Sequence, residues 1–314
     1  MAKIGFVFPG QGSQKQGMLA DLAAENPVVL DTFTRASEVL GKDLWRICQS
    51  DPEGSLNQTE ITQPALLAAS VAIGRLWFER GGPRPAVMSG HSLGEYSALV
   101  LAGVLAFENA IAVVHQRGQF MQEAVGPAEG KMAAIVGLED AKLIEICARA
   151  ESIGTVSAAN FNSPGQIVIA GESAAVDCAM QLCKEAGAKR ALSLNVSVPS
   201  HCPLMKPAAE ALAEVLAGIA FAKPDIPVVQ NVSGTIQTEP QQIKDNLVRQ
   251  LHKPVLWEDC VRAIHEAGVQ KLVEVGPGRV LCGLVKRITP DLGCMPSEDP
   301  QDFDSLVMEV AGQY

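Results

Sequence analysis

Positive charge is scarce in this chain of 314 residues: 25 lysines and arginines stand against 35 acidic residues, a formal net charge of -10. A nucleic-acid partner needs a clustered cationic face to neutralise phosphates, so that class is excluded, and any anionic ligand must find a local basic patch. Paired cysteines are missing as well. The eight cysteines (Cys48, Cys147, Cys178, Cys183, Cys202, Cys260, Cys282, Cys294) form no C-x-x-C and no Cys/His cluster at zinc spacing. No metal is expected, and the thiols read as small buried hydrophobes in a reducing compartment. Long hydrophobic runs are also absent. Ile4 to Phe8 is too brief for the apolar region of a signal peptide, and no run reaches membrane-spanning length. A cytoplasmic protein without a membrane partner is expected. What the chain does have is length and 47% hydrophobic residues, enough for a large α/β domain with a smaller one inserted or appended.

The most informative stretch is Ala86 to Tyr96, where a short apolar run breaks into Gly90-His91-Ser92-Leu93-Gly94 and continues into an Ala/Leu/Val segment of helical character. Strand, tight turn and helix in that order would put Ser92 on a strained corner with its hydroxyl projecting, as a nucleophile. Glycine and serine are also common in ordinary turns, so the five residues alone are weak. Two nucleotide motifs near the N-terminus fail: Lys15 stands where the third glycine of a dinucleotide fingerprint belongs, and Met18-Leu19 replace the Lys-Ser/Thr of a phosphate loop. Glu95 falls in a first helical turn, where a carboxylate complements the helix N-terminus, and is assigned to structure.

A helix is expected from about Phe107 to Ala124, with an apolar stripe through Phe107, Ala110, Ile111, Val114, Gly118 and Met121. Arg117 lies on that stripe with no carboxylate three or four residues away. Such a guanidinium must pair with a distant acid, face a cavity that admits an anion, or snorkel to the surface. Residues 126–196 read as strand, helix, strand, strand, helix, strand, the βαββαβ order of a ferredoxin-like unit inserted between 1–125 and 197–314. The run Asn160 to Gly165 is expected as its central turn. Among the five histidines, His91 diverges from its neighbour Ser92, His115 falls on a polar helix face, His252 follows a helix end, and His265 sits among charges. His201, between Pro199 and Pro203, remains as the base for Ser92. No strand-end Asp stands out to complete a triad.

Together, Phe8-Pro9-Gly10-Gln11-Gly12-Ser13-Gln14, Gly90 to Leu99, Gln116-Arg117-Gly118, Pro199-Ser200-His201 and Val275-Gly276-Pro277-Gly278 resemble the bacterial malonyl-CoA:acyl carrier protein transacylases. The resemblance spans the chain in order. It implies an α/β-hydrolase-like large domain with a parallel sheet and the ferredoxin-like insertion. It implies Ser92 as nucleophile, His201 as general base, the amides of Gln11 and Leu93 as an oxyanion hole, and Arg117 as the clamp for the malonyl carboxylate. Gln250 matches the position that orients the histidine, usually through its main-chain carbonyl. The expected partners are malonyl-CoA and acyl carrier protein, with no cofactor, and the expected state is a monomer. Because carrier and CoA are anionic, Lys189-Arg190 and Lys286-Arg287 are the candidate docking charges; the plain alternative is that they are only solvated. The rival functions are a serine hydrolase or thioesterase on the same elbow, an acyltransferase serving polyketide synthesis, and a non-catalytic carrier-binding scaffold.

Overall fold

The computed structural model describes residues 3–126, 129–196 and 198–312. Pro127 and Ser197, which flank the two expected joints, lie outside the described residues. β1 (Ile4–Phe8) is followed by α1 (Ala20–Glu25), α2 (Pro27–Leu40), α3 (Leu44–Ser50) and α4 (Thr59–Glu79). Then come β2 (Val87–Gly90), α5 (Gly94–Leu101) and α6 (Phe107–Glu123). β3 (Gly130–Val136), α7 (Asp140–Ala150), β4 (Val156–Ser163), β5 (Gln166–Glu172), α8 (Ser173–Glu185) and β6 (Arg190–Ser193) follow. A 3-10 turn (Pro203–Met205) leads into α9 (Lys206–Ala217), β7 (Val228–Gln230), β8 (Thr235–Gln237), α10 (Pro240–His252) and α11 (Trp257–Glu266). The chain closes with β9 (Lys271–Glu274), α12 (Val280–Ile288), β10 (Gly293–Pro296) and α13 (Pro300–Ala311).

This is a mixed α/β fold. The larger sheet has the order β10-β9-β1-β2-β7-β8, parallel except for β8, which pairs antiparallel with β7. β1 is buried at every position, as a central parallel strand covered by helices on both faces must be. One apolar cluster joins this sheet to α2, α4, α5, α6 and α9; a second joins its other face to α11 and α12. α4 is long and apolar enough to cross a membrane by composition, yet 89% of that stretch is buried inside the protein. A helix that is apolar on all sides belongs in a core, and α4 is the central helix of this one.

The second sheet, antiparallel with the order β4-β5-β3-β6, has its own cluster against α7 and α8. One expectation is corrected here. Asn160 to Ser163 are not a turn but the end of β4; register shifts between Ala158 and Asn160 and again between Phe161 and Ser163 carry the strand on, and only Pro164-Gly165 turns. Irregular polar residues look like a loop in sequence, and bulges let a strand absorb them. A second correction concerns the thiols: Cys282 on α12 and Cys294 on β10 form a disulfide across 12 positions, while the other six cysteines are free. Neither sequence spacing nor composition marks that pair.

β2 lies on one side of β1 and β9 on the other, so the chain reverses direction of travel across the sheet at β1. The crevice at the carboxyl ends of such strands is where open α/β sheets hold ligands. Gln11, Ser92 and Asn231 follow β1, β2 and β7 at that edge.

Candidate active site

Ser92 sits between β2 and α5 with φ of 51°, in the left-handed region. A serine there is strained, and the surrounding bonds hold it. Its N–H donates to Asn231 Oδ1 at 2.7 Å, and its carbonyl accepts from Gln250 Nε2 at 3.0 Å. Asn231 Nδ2 in turn donates to the Gly90 carbonyl at 2.7 Å. The flanking glycines serve close approach: a Cβ on Gly90 would lie 1.9 Å from the Gly94 carbonyl carbon, and one on Gly94 would lie 2.1 Å from the Phe8 carbonyl oxygen.

His201 is 2% exposed and also has a positive φ, 62°. Its N–H donates to the Leu251 carbonyl at 3.0 Å, and its Nδ1 lies 2.6 Å from the Gln250 carbonyl oxygen. A carbonyl can only accept, so Nδ1 carries the proton and Nε2 presents its lone pair. That Nε2 is 2.7 Å from Ser92 Oγ. Burial, and next the charge of Arg117, push the imidazole down to about 3, so it is neutral and available as a base at any ordinary pH. The serine, the histidine and the Gln250 carbonyl thus form a triad whose third member is neutral.

Arg117, 1% exposed on α6, reaches the same centre. Its Nη1 donates to Gln63 Oε1 of α4 at 2.8 Å and its Nη2 to Gln250 Oε1 at 3.0 Å, while Nη2 stands 3.4 Å from Ser92 Oγ. The guanidinium lies 5.6 Å from the centre of the Tyr96 ring. Its Nε–H has no partner among the described residues. Of the three options open at the sequence level, the structure places this cation inward, in a cavity and beside amides rather than a carboxylate.

That cavity, about 110 Å³, is lined among others by Gln11, Ser92, Leu93, Arg117 and His201, with apolar walls from Met121, Met132 and Val198. It shares Gln11 and Val196 with a polar groove of about 300 Å³ that includes Gln14, Asn57 and Asn195. Leu93 is the residue just before α5, where helix N–H groups point outward and favour developing negative charge. Neither the Gln11 nor the Leu93 N–H is used in a turn or loop hydrogen bond among the described residues. A cavity of about 250 Å³ between Lys15 and Asp302 is larger but holds no nucleophile, and its Lys15 is paired with Glu298 at 2.9 Å.

The structure therefore gathers Gln11, Ser92, Leu93, Arg117, His201 and Gln250 in one place. Lys189, Arg190, Lys286 and Arg287 are exposed and line neither the cavity nor the groove, and Arg287 hydrogen-bonds Gln166 of β5. Reading the sequence missed Asn231 and Gln63, and read only half of Gln250. The available signal for Asn231 is an amide at a strand end, where a triad acid would otherwise stand. Glu274, Cys282 and Cys294 could group around a metal ion, but both carboxylate oxygens accept backbone N–H bonds and the sulfurs are joined to each other.

A family model described as an acyl transferase domain matches residues 5–291. A Haemophilus influenzae protein named malonyl CoA-acyl carrier protein transacylase is 56% identical over 307 residues, covering 98% of each chain. The crystal structure of an acyl carrier protein S-malonyltransferase from Vibrio cholerae superposes with a TM-score of 0.95 at 57% identity, covering 97% of this chain and 100% of that one. A malonyl-transacylase solved in complex with a type II PKS acyl-carrier protein superposes with a TM-score of 0.96 at 53% identity, covering all of both chains.

Proposed function

The chain belongs to the acyl transferase domain family, among the malonyl CoA-acyl carrier protein transacylases, and from that premise we infer the following mechanism for its residues. It is an acyltransferase that moves the malonyl group from malonyl-CoA to the phosphopantetheine thiol of acyl carrier protein, supplying fatty acid biosynthesis. Ser92 is the nucleophile. His201 Nε2 takes the Ser92 hydroxyl proton as Oγ bonds to the thioester carbonyl carbon. The resulting oxyanion is held by the N–H groups of Gln11 and Leu93, preorganised donors that need no reorientation as charge develops. The C–S bond then breaks, His201 returns the proton to the CoA sulfur, and malonyl-Ser92 remains. The carrier thiol repeats the steps in reverse order, giving its proton to His201 and releasing Ser92. Nucleophile, base and oxyanion donors are all supplied by the chain, so the reading calls for no metal or cofactor.

The observation that carries this reading is the buried Arg117 guanidinium, whose Nη2 lies 3.4 Å from the Ser92 hydroxyl and whose Nε–H has no partner among the described residues. It selects an acyl group that brings its own carboxylate, because bidentate pairing satisfies a cation that an acetyl group would leave unmet. The outer groove would carry the pantetheine arm. The finer architecture that suits this chemistry is an α/β-hydrolase-like domain from 1–125 and 197–314 with a ferredoxin-like unit at 126–196. What supports it is the single chain passage through the antiparallel sheet between two passages through the parallel one. A cytoplasmic monomer is proposed. Lys189, Arg190, Lys286 and Arg287 are proposed to dock the anionic carrier; charge reversal at both pairs is expected to weaken carrier binding and flatten its salt dependence, and unchanged affinity removes them from the account.

A hydrolase is the rival reading, because the same elbow serves both reactions. Following the malonyl group from CoA to carrier separates them: Ser92→Ala is expected to abolish transfer, and transfer that survives it overturns the mechanism. The likeness to a transacylase bound to a type II PKS carrier keeps polyketide supply as the second reading of the pathway.

A further inference from the structure

Glu95 opens α5 three residues after the nucleophile and is 1% exposed. A carboxylate whose only task is to complement a helix N-terminus does so from the surface, where water shares the charge. This one is buried, at a desolvation cost that needs compensation. Its Oε2 accepts from the Asn231 backbone N–H at 2.9 Å and from Gln250 Nε2 at 3.0 Å. Its Oε1 has no partner among the described residues. The Gln250 amide faces two ways, taking Arg117 Nη2 on its oxygen and Glu95 on its nitrogen. One amide therefore bridges a buried cation and a buried anion, and among the described residues no carboxylate pairs with Arg117. The field of Glu95 favours the charged guanidinium, and the field of Arg117 favours the charged carboxylate.

Resting on the malonyl reading above, the geometry points to Glu95 as a positioning residue that serves, through the Gln250 amide, as the counter-ion of Arg117 in the empty site. The carboxylate of the incoming acyl group takes over that part. The Glu95 carboxylate also accepts the Asn231 backbone N–H, and Asn231 holds the Ser92 N–H, so the nucleophile and the clamp share one anchor.

Two negative charges competing for one guanidinium give a definite sign. With Glu95 ionised the empty clamp is already compensated, and the acyl carboxylate gains less on binding. With Glu95 protonated it gains more. Burial pushes the Glu95 carboxyl up to about 7, against the two hydrogen bonds and Arg117. Affinity for the malonyl thioester is therefore expected to fall as pH rises through neutrality. The other groups around this centre keep their charge there: Tyr96 is pushed up to about 12, the Cys260 thiol is pushed up by burial, His201 is held down to about 3, and His91 is lowered by burial. Burial lowers Arg117 too, against Tyr96 and Glu95, but a guanidinium keeps its proton in a protein.

The test is rapid-quench acylation of the intact protein with malonyl-CoA and with acetyl-CoA, from about pH 6 to about pH 8. Glu95→Gln keeps an oxygen to accept both hydrogen bonds and removes the charge. It is expected to lower the half-saturating malonyl-CoA concentration about fivefold at the alkaline end and to flatten its pH dependence, without a parallel change for acetyl-CoA. Glu95→Ala also removes the acceptor and is expected to slow maximal acylation about tenfold or more with both acyl groups. If Glu95→Gln leaves the malonyl pH dependence in place, or shifts malonyl and acetyl alike, Glu95 is a structural residue and the inference fails. Absence of any malonyl adduct on the unaltered protein would instead overturn the transferase mechanism itself.

Discussion

At the scale of single residues, Arg117 has the most to decide, because in the proposed mechanism it acts on both the substrate and the base. Replacing it by alanine would remove the proposed partner of the malonyl carboxylate and relieve one of the two main causes that depress His201. Arg117→Ala is expected to lower the malonyl-to-acetyl preference roughly tenfold to a hundredfold, the worth of hydrogen bonds to a charged group. By the same substitution the His201 imidazole should titrate at a higher pH, which proton NMR of the ring reads directly. An unchanged preference would remove Arg117 from specificity, and an unmoved His201 titration would show that burial alone sets its basicity. Arg117 was legible in sequence because a lone cation on an apolar helical stripe is anomalous. Ser92 was legible from its glycines and His201 by elimination. Gln11, Leu93 and Gln250 came only through the family resemblance, since a backbone amide or carbonyl leaves no trace in residue type. Glu95 was read as a helix-end charge because its partners Asn231 and Gln250 lie 136 and 155 positions away.

At the scale of elements, the site depends on how closely α6 crosses α4. A Cβ built on Gly118 would stand 2.5 Å from the Glu60 Cα, so the backbones touch beside Arg117 and bring Gln63 to its guanidinium. Gly118→Val must push the helices apart. It is expected to cost about 1–3 kcal/mol in stability, measured by denaturant midpoint, and to loosen malonyl selectivity along with it. A variant with lower stability but intact selectivity would show that the crossing supports the fold without setting the clamp. The helix α6, and the strand and helix on either side of Ser92, were legible from periodicity and motif. The bulged end of β4 was not, since its polar residues mimic a turn. The short antiparallel β8 and the Cys282–Cys294 bond were hidden too, because each is fixed by a neighbour that the local sequence does not announce.

At the scale of the whole molecule, three parallel strands of the larger sheet deliver Gln11, Ser92 and Asn231 to a common edge, and the loop before α9 and the end of α10 supply His201 and Gln250. The two sheets meet over the same cavity: Met132, Asn160 and Val168 come from the antiparallel sheet and Ser92 from the elbow on the parallel one. The strand–helix order of residues 126–196 and the family resemblance made that general plan readable, and neither could reveal which side chains would converge. In the proposed mechanism Ser92 carries a malonyl group between two thiols. Intact-mass analysis of the protein after exposure to malonyl-CoA, followed by addition of acyl carrier protein, tests it most directly. A single malonyl adduct located on Ser92, stable in buffer and discharged onto the carrier, is the predicted result; an adduct lost to water before carrier is added, or none on Ser92, would contradict it.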